Sequence, residues 1–137
     1  MRTYFNFKNL ILSKSPNQYL VLPDITDSLS SPHEISPVFN ISSKNLHSIF
    51  YEIIIKQRAT KVLCNDKINL KSEFIQYTRF FRFPDYISIQ IIDSGENISS
   101  LAIYSRSKFG YYDFGVNKRR VKLWISLLVS NISKTIE

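Results

Sequence analysis

Tyr104-Ser105-Arg106-Ser107-Lys108-Phe109-Gly110-Tyr111-Tyr112-Asp113-Phe114-Gly115-Val116-Asn117-Lys118-Arg119-Arg120 is the stretch that decides how this chain of 137 residues folds. Leu101 and Ile103, just before it, show the two-residue period of a strand with one buried face. After it, Val121, Trp124, Ile125, Leu128 and Ile132 fall at i, i+3, i+4, i+7 and i+11, the apolar stripe of a helix over about residues 117–133. The stretch is therefore a joint between a strand and a helix. Two of the chain's three glycines, Gly110 and Gly115, lie in it, where they permit positive φ or close backbone approach.

Upstream, the pattern predicts three more strands, over residues 61–65, 70–80 and 86–93, the last strand being 99–106. Ile87, Ile89 and Ile91 alternate with Tyr86, Ser88 and Gln90, as expected of a strand buried on one face. In the second strand Phe74 and Phe80 point one way and Ile75, Tyr77 and Phe81 the other, which predicts a bulge or apolar cover on both faces. Short connections make the four an antiparallel meander. A first helix over 43–57, capped by Ser42 or Ser43, carries Leu46, Ile49, Phe50, Ile53 and Ile54 as its stripe, with His47 on the polar side and exposed.

Four of the five prolines, Pro16, Pro23, Pro32 and Pro37, fall in the first 42 residues. The run Asp27-Ser28-Leu29-Ser30-Ser31-Pro32 is turn chemistry. Tyr19-Leu20-Val21-Leu22 and Pro37-Val38-Phe39-Asn40-Ile41 are nonetheless apolar enough to dock. The expected architecture is a two-layer α+β domain, residues 43–137, with a four-stranded antiparallel sheet packed by two helices. Residues 1–42 form an irregular arm that contributes at most one short edge strand, where proline is tolerated.

A composition of 44% apolar and 21% charged residues suits one globular domain with a real core. Alanine occurs only at Ala59 and Ala102, a scarcity that fits an AT-rich genome. The one cysteine, Cys64, excludes an internal disulfide and fits a reducing compartment. The apolar run Leu10–Leu12 is too short for a signal peptide, and no stretch reaches the roughly 20 apolar residues that span a bilayer. The expectation is a soluble, cytoplasmic protein, with association at a membrane surface left open.

The net charge is +7 and unevenly spread. Between Tyr104 and Trp124, Arg106, Lys108, Lys118, Arg119, Arg120 and Lys122 stand against Asp113, so this segment carries +5. Lys118, Arg119 and Arg120 open the last helix, where positive charge opposes the helix dipole by roughly 0.3–1 kcal/mol each. A local rule broken in this way points to a site. Free N–H groups at the helix start, with Ser105, Arg106, Ser107, Asn117, Lys118, Arg119 and Arg120, make a candidate anion site. The opposing reading is a structural clasp: Asp113 with Arg106 or Arg120, Asp85 with Arg79 or Arg82, and Gly110 and Gly115 shaping the turn. His33, His47 and Cys64 have no ligand-like spacing, so neither a metal nor a cofactor is expected. A nucleophilic triad through either histidine is equally unsupported.

Three segments carry a family resemblance. They are Phe74-Ile75-Gln76-Tyr77-Thr78-Arg79-Phe80-Phe81-Arg82-Phe83-Pro84-Asp85, then Ala102-Ile103-Tyr104-Ser105-Arg106-Ser107, then Gly110 to Val121. Together they resemble the domain-of-unknown-function family numbered 1499, whose hallmark is Ser-Arg-Ser at a strand end followed by Gly-x-x-Asp-x-Gly-x-Asn-x-x-Arg. Asn17-Gln18-Tyr19-Leu20-Val21 resembles an Asn-x-Tyr-Leu element of its bacterial members. The resemblance spans most of residues 17–128 and implies a bacterial or plastid protein. It implies no activity. Many members keep two adjacent acids where this chain has Pro84-Asp85.

Two readings of function remain. The first is a non-catalytic binding or scaffold domain whose basic end, residues 104–122, holds an anionic small molecule, an acidic protein surface or a membrane surface. Nucleic acid is a weaker partner, since no recognised motif accompanies the interleaved basic and aromatic residues. The second is an enzyme acting on a small phosphate or carboxylate, with Arg106 and Arg120 binding it and Asp85 or Asp113 as acid or base.

Overall fold

In the computed structural model, which describes residues 6–24 and 28–136, the chain is α+β with two helices and a six-stranded mixed sheet. The strands are β1 (Gln18–Leu22), β2 (Glu34–Ile35), β3 (Thr60–Asp66), β4 (Lys71–Tyr77), β5 (Pro84–Gly95) and β6 (Ile98–Ser107). The helices are α1 (Ser43–Ile55) and α2 (Val116–Ile136). The order across the sheet is β2-β1-β6-β5-β4-β3, with β1 and β2 parallel and every other pair antiparallel.

The four-stranded meander is present as β3 to β6, but it is not the whole sheet. Residues before 42 add two strands, and β1 lies inside the sheet, paired to β6 on one side and β2 on the other. All five residues of β1 are buried, so it shows no alternation to read. Its Tyr19 and Val21 face the helices, while Leu20 and Leu22 pack under Phe7 and Leu10 on the opposite face. Met1 to Phe5, and Asp27 of the predicted turn run, lie outside the described residues.

Both helices cover one face of the sheet. Leu46, Phe50 and Ile54 of α1 join Val121, Trp124, Ile125, Leu128 and Ile132 of α2 over Phe74, Ile87, Ile89, Ile91, Leu101 and Ile103. Ser42 caps α1 by accepting from Asn45 N. His47 is not exposed: it is buried, with its Nε2 2.8 Å from Asn65 Oδ1 on β3. The helix stripe is therefore wider than the apolar residues alone indicate, because a strand amide meets the imidazole.

The poor alternation of the second strand has a simple cause. β4 ends at Tyr77, and Phe80 and Phe81 belong to the turn that follows, both exposed. The register shifts lie elsewhere, between Val62 and Cys64 in β3 and between Asp93 and Gly95 in β5.

Candidate functional site

Register places the site. Gln76, Asp85, Ser105 and Ser107 sit on the helix-covered face near one end of β4, β5 and β6, with Gln76 opposite Asp85 and Asp85 opposite Ser107. The first turn of α2 lies over them. Asn117 and Arg120, three residues apart, both point down onto the sheet. Lys118 and Arg119 point out to solvent. The three consecutive cations at the helix start thus have different environments.

Arg120 is 5% exposed and every arm of its guanidinium is engaged. Nε donates to Gln76 Oε1. Nη1 donates to Ser105 Oγ at 3.1 Å and Asn117 Oδ1 at 2.8 Å, and Nη2 donates to Asp85 Oδ2 at 2.7 Å. Ser105 Oγ in turn donates to Asn117 Oδ1 at 2.7 Å. The Asn117 amide donates to Asp113 Oδ2 at 2.7 Å, Ser107 Oγ at 2.9 Å and the Asn17 carbonyl at 3.2 Å. One asparagine therefore ties the helix to β6, to the loop before the helix and to the segment entering β1.

The helix N-terminus is closed by Asp113, whose Oδ1 accepts from Gly115 N at 2.8 Å and Oδ2 from Asn117 N at 3.1 Å. A carboxylate of the protein itself occupies the place a bound anion would take. Gly115, at φ +78°, makes the turn between them, and a Cβ there would lie 3.0 Å from Arg119 Nη1.

Asp85 is 1% exposed, and its Oδ1 makes no hydrogen bond. Burial pushes its carboxyl above the ordinary carboxylate range, and Arg120 and the Ser107 hydroxyl pull it back only in part. Burial likewise holds the Arg120 guanidinium below its usual value, against the pull of Asp85. At both groups the cost of burial outweighs the pull of the partner.

Arg106 does not join this group. Strand alternation turns it to the other face of the sheet, where Nη1 donates to Ser88 Oγ at 2.9 Å and to the Tyr104 carbonyl at 3.0 Å, and the guanidinium lies over the Tyr104 ring. Neither Arg79 nor Arg82 pairs with Asp85; both are exposed on the turn after β4.

Above the clasp opens a cleft of about 610 Å³. Gln76, Asp85, Ser107, Asp113 and Arg120 line it from the clasp, beside Trp124. Its walls are two loops. Residues 78–83 bring Arg79, Phe80, Phe81 and Phe83; residues 108–115 bring Phe109, Tyr112 and Phe114. The first loop is held shut by Thr78, which exchanges backbone bonds with Phe83 and Arg82 and accepts from Phe83 N through its hydroxyl. Arg58 and Arg119 complete the rim. Arg58 donates to the Tyr77 carbonyl at 3.0 Å; desolvation, then the like charges of Arg79 and Arg82, hold its guanidinium below its usual value.

Gln76, Arg58, Phe80, Phe81, Phe83 and Phe109 escape the sequence reading as site residues. Asn17 secures the second loop by donating to the Gly110 carbonyl at 2.6 Å, beside Ser15, which donates to the Tyr111 carbonyl at 2.8 Å. The Asn-x-Tyr-Leu element marked Asn17. The unbroken run Phe80-Phe81-Arg82-Phe83 marked the rim, once it is taken as a turn.

The chain belongs to the family described as Protein of unknown function (DUF1499), whose sequence model matches residues 12–128. The matched span takes in both loops, the clasp and β1. No curated protein is similar enough to match the chain.

Proposed function

Starting from a family without an assigned activity, we propose that this chain is a non-catalytic binding domain whose cleft takes an anionic ligand with an apolar body. The observation that carries this reading is the contrast between the cleft's floor and its walls. A buried carboxylate oxygen without a donor waits at the floor, phenylalanines form the walls, and Arg58, Arg79 and Arg119 stand at the rim. Ligand pockets have this composition, mostly apolar with a few convergent polar groups. In this reading Lys118, Arg119 and Arg79 attract the anion. Ser105, Ser107, Asn117, Arg120, Asp113, Gly110 and Gly115 hold the floor and the turn in shape. A hydroxyl or N–H carried on the apolar body of the natural ligand completes Asp85 Oδ1, a contact that a plain alkyl phosphate does not make.

Trp124, the chain's one tryptophan, lines the cleft and reports on it. The probe is dodecyl phosphate, with inorganic phosphate and dodecanol as head-only and tail-only controls. Dodecyl phosphate is expected to change Trp124 fluorescence and, at about 100 times its Kd, to stabilise the fold by about 2.7 kcal/mol. Both controls are expected to act weakly, and Arg79→Ala to weaken the effect. No response to dodecyl phosphate, or an equal response to dodecanol, removes this reading.

One observation favours the enzyme reading. Asp85 combines burial, a raised pKa and an unpartnered oxygen in a cleft, the combination expected of a general acid or base. Phosphate release from the bound ester by wild type, lost in Asp85→Asn, would support it; an ester recovered intact would leave the binding reading alone.

A further inference from the structure

The two loops that wall the cleft expose far more aromatic surface than a monomer of this size needs. Phe80 is 92% exposed, Phe81 77% and Phe114 75%, and Phe109, Tyr111 and Tyr112 are also exposed. All six belong to residues 80–114, on neighbouring turns at one end of the sheet. Contiguous exposed apolar surface of this kind marks an interaction site. The rings are not strays from a core, because the loops that carry them are tightly bonded by Thr78, Asn17 and Ser15. Each loop also holds a non-glycine residue in the left-handed region, Arg82 at φ +54° and Phe114 at φ +55°. Strain at such positions persists where the surrounding structure fixes it, and it collects at functional surfaces.

The charge around the rings has one sign. Arg79, Arg82, Lys108, Lys118 and Arg119 are all exposed. Across residues 78–83 and 108–119 the single acid is Asp113, and it is occupied with the helix N-terminus. The matching partner is therefore apolar within and anionic at its surface.

We propose that this end of the molecule docks on an anionic lipid bilayer, with the tips of residues 78–83 and 108–115 entering the headgroup boundary and the flanking arginines and lysines holding the lipid phosphates. Side chains that combine an apolar face with basic groups lie in that boundary by burying the one and pairing the other. Single-stranded nucleic acid also takes basic and aromatic surfaces, but it needs open ring faces to stack on. Here five of the rings pack on one another. Phe81 stacks on Phe83 at 5.5 Å between centroids, Phe109 meets Phe83 edge-on at 6.3 Å, and Phe114 meets Tyr112 edge-on at 4.8 Å. A cluster of rings packed in this way suits insertion better than base stacking. The inference rests on the rim and does not require the cleft to be filled.

The test is co-sedimentation of the full chain with vesicles of phosphatidylcholine, with and without phosphatidylglycerol. Binding is expected to the anionic vesicles, and to weaken as salt is raised. The double variant Phe80→Ser/Phe81→Ser is expected to lose about tenfold or more in affinity, and Arg79→Gln about fivefold. A Phe81→Trp variant gives a direct readout of depth, and its fluorescence is expected to be quenched by lipids brominated on the acyl chains. Absence of binding to anionic vesicles overturns the proposal. So does binding that survives the double variant, or tighter binding of single-stranded DNA at the same salt. A protein that binds dodecyl phosphate but no vesicle keeps the cleft reading and loses this one; one that binds vesicles but no soluble amphiphile does the reverse.

Discussion

Beneath the cleft, Asp85, Asn117 and Arg120 are buried; around its mouth, Phe80, Phe81 and Phe114 are exposed. Charged residues are almost never fully buried unless paired, and large aromatics are the usual substance of a core. The two regions invert that partition within one stretch of chain, since Phe114 and Asn117 are three residues apart. Apart from Asp85 Oδ1, the lower region is satisfied from within: every nitrogen of Arg120 and the side-chain amide of Asn117 donate to other residues of the protein. Beyond contacts among its own rings, the upper region stays exposed among the described residues. The clasp is explained by what it holds together, whereas the exposed phenylalanines bury little surface that would stabilise the fold.

The largest test of this contrast is Arg120→Ala. It leaves Asp85 buried with neither of its oxygens paired to a cation, and it strips Gln76, Ser105 and Asn117 of a donor. Breaking a buried pair by removing one partner costs about 3–5 kcal/mol. Urea denaturation is expected to show a loss of that size. A loss below about 1 kcal/mol, the range of surface ion pairs, would mean that Arg120 is held for a ligand and not for the fold.

Much of the lower region was legible in the sequence, and the reason is periodicity. The strand before residue 104 and the helix after 116 each repeat cleanly, so their meeting point was evident, and Asp113, Asn117 and Arg120 fell within it. Which cation would be buried was not legible. Helical spacing puts Arg120 beside Trp124 and Val121 on the inner face, but the pull of charge to solvent argues the other way, and only the facing Asp85 decides it. Arg106 stands between Ser105 and Ser107 in the sequence, but strand alternation sends it to the opposite face. The interior position of β1 was hidden because a strand covered on both faces loses its alternation. The upper region was hidden by its own composition: Phe80 and Phe81 are residues one expects in a strand, and they extended β4 beyond its true end.

A second test compares two ion pairs by the sign of their pH dependence. Asp85–Arg120, 2.7 Å long, is buried, whereas Lys122–Glu34, 2.8 Å long, is partly exposed. Burial raises Glu34, but the hydrogen bonds from Lys122 and Tyr19 and the charges of Lys122 and Lys118 outweigh it and hold the carboxyl below its usual 4.5. Its folded value is depressed, so its stabilisation is present above about pH 4.5 and is lost as pH falls through the folded value. Asp85 has a raised folded value. Its contribution is fully present below its ordinary 3.8 and is lost as pH rises through the folded value. Stability measured from pH 3 to 7 is expected to show the two in opposition. Glu34→Gln should flatten the loss on the acid side relative to wild type. Asp85→Asn should steepen it, because it removes the group that favours folding at low pH. Parallel changes in the two variants would show that burial does not dominate at Asp85.

The smallest expected effect is the most informative about the rim. Phe80 stands almost wholly in solvent, and the turn beneath it is held by Thr78 and not by the ring. Phe80→Ser should therefore change unfolding free energy by no more than about 0.5 kcal/mol, the range of surface substitutions that touch no special feature. Removing a core phenylalanine would instead cost about 3–5 kcal/mol. A near-zero result has a direct consequence. Folding then gives no reason for a phenylalanine at this position, and the side chain is available for a partner that only binding can reveal. A loss above about 2 kcal/mol would mean that the ring is covered in solution by another part of the chain or by a second copy. The contrast between a floor bonded within the chain and a rim left to solvent would then dissolve.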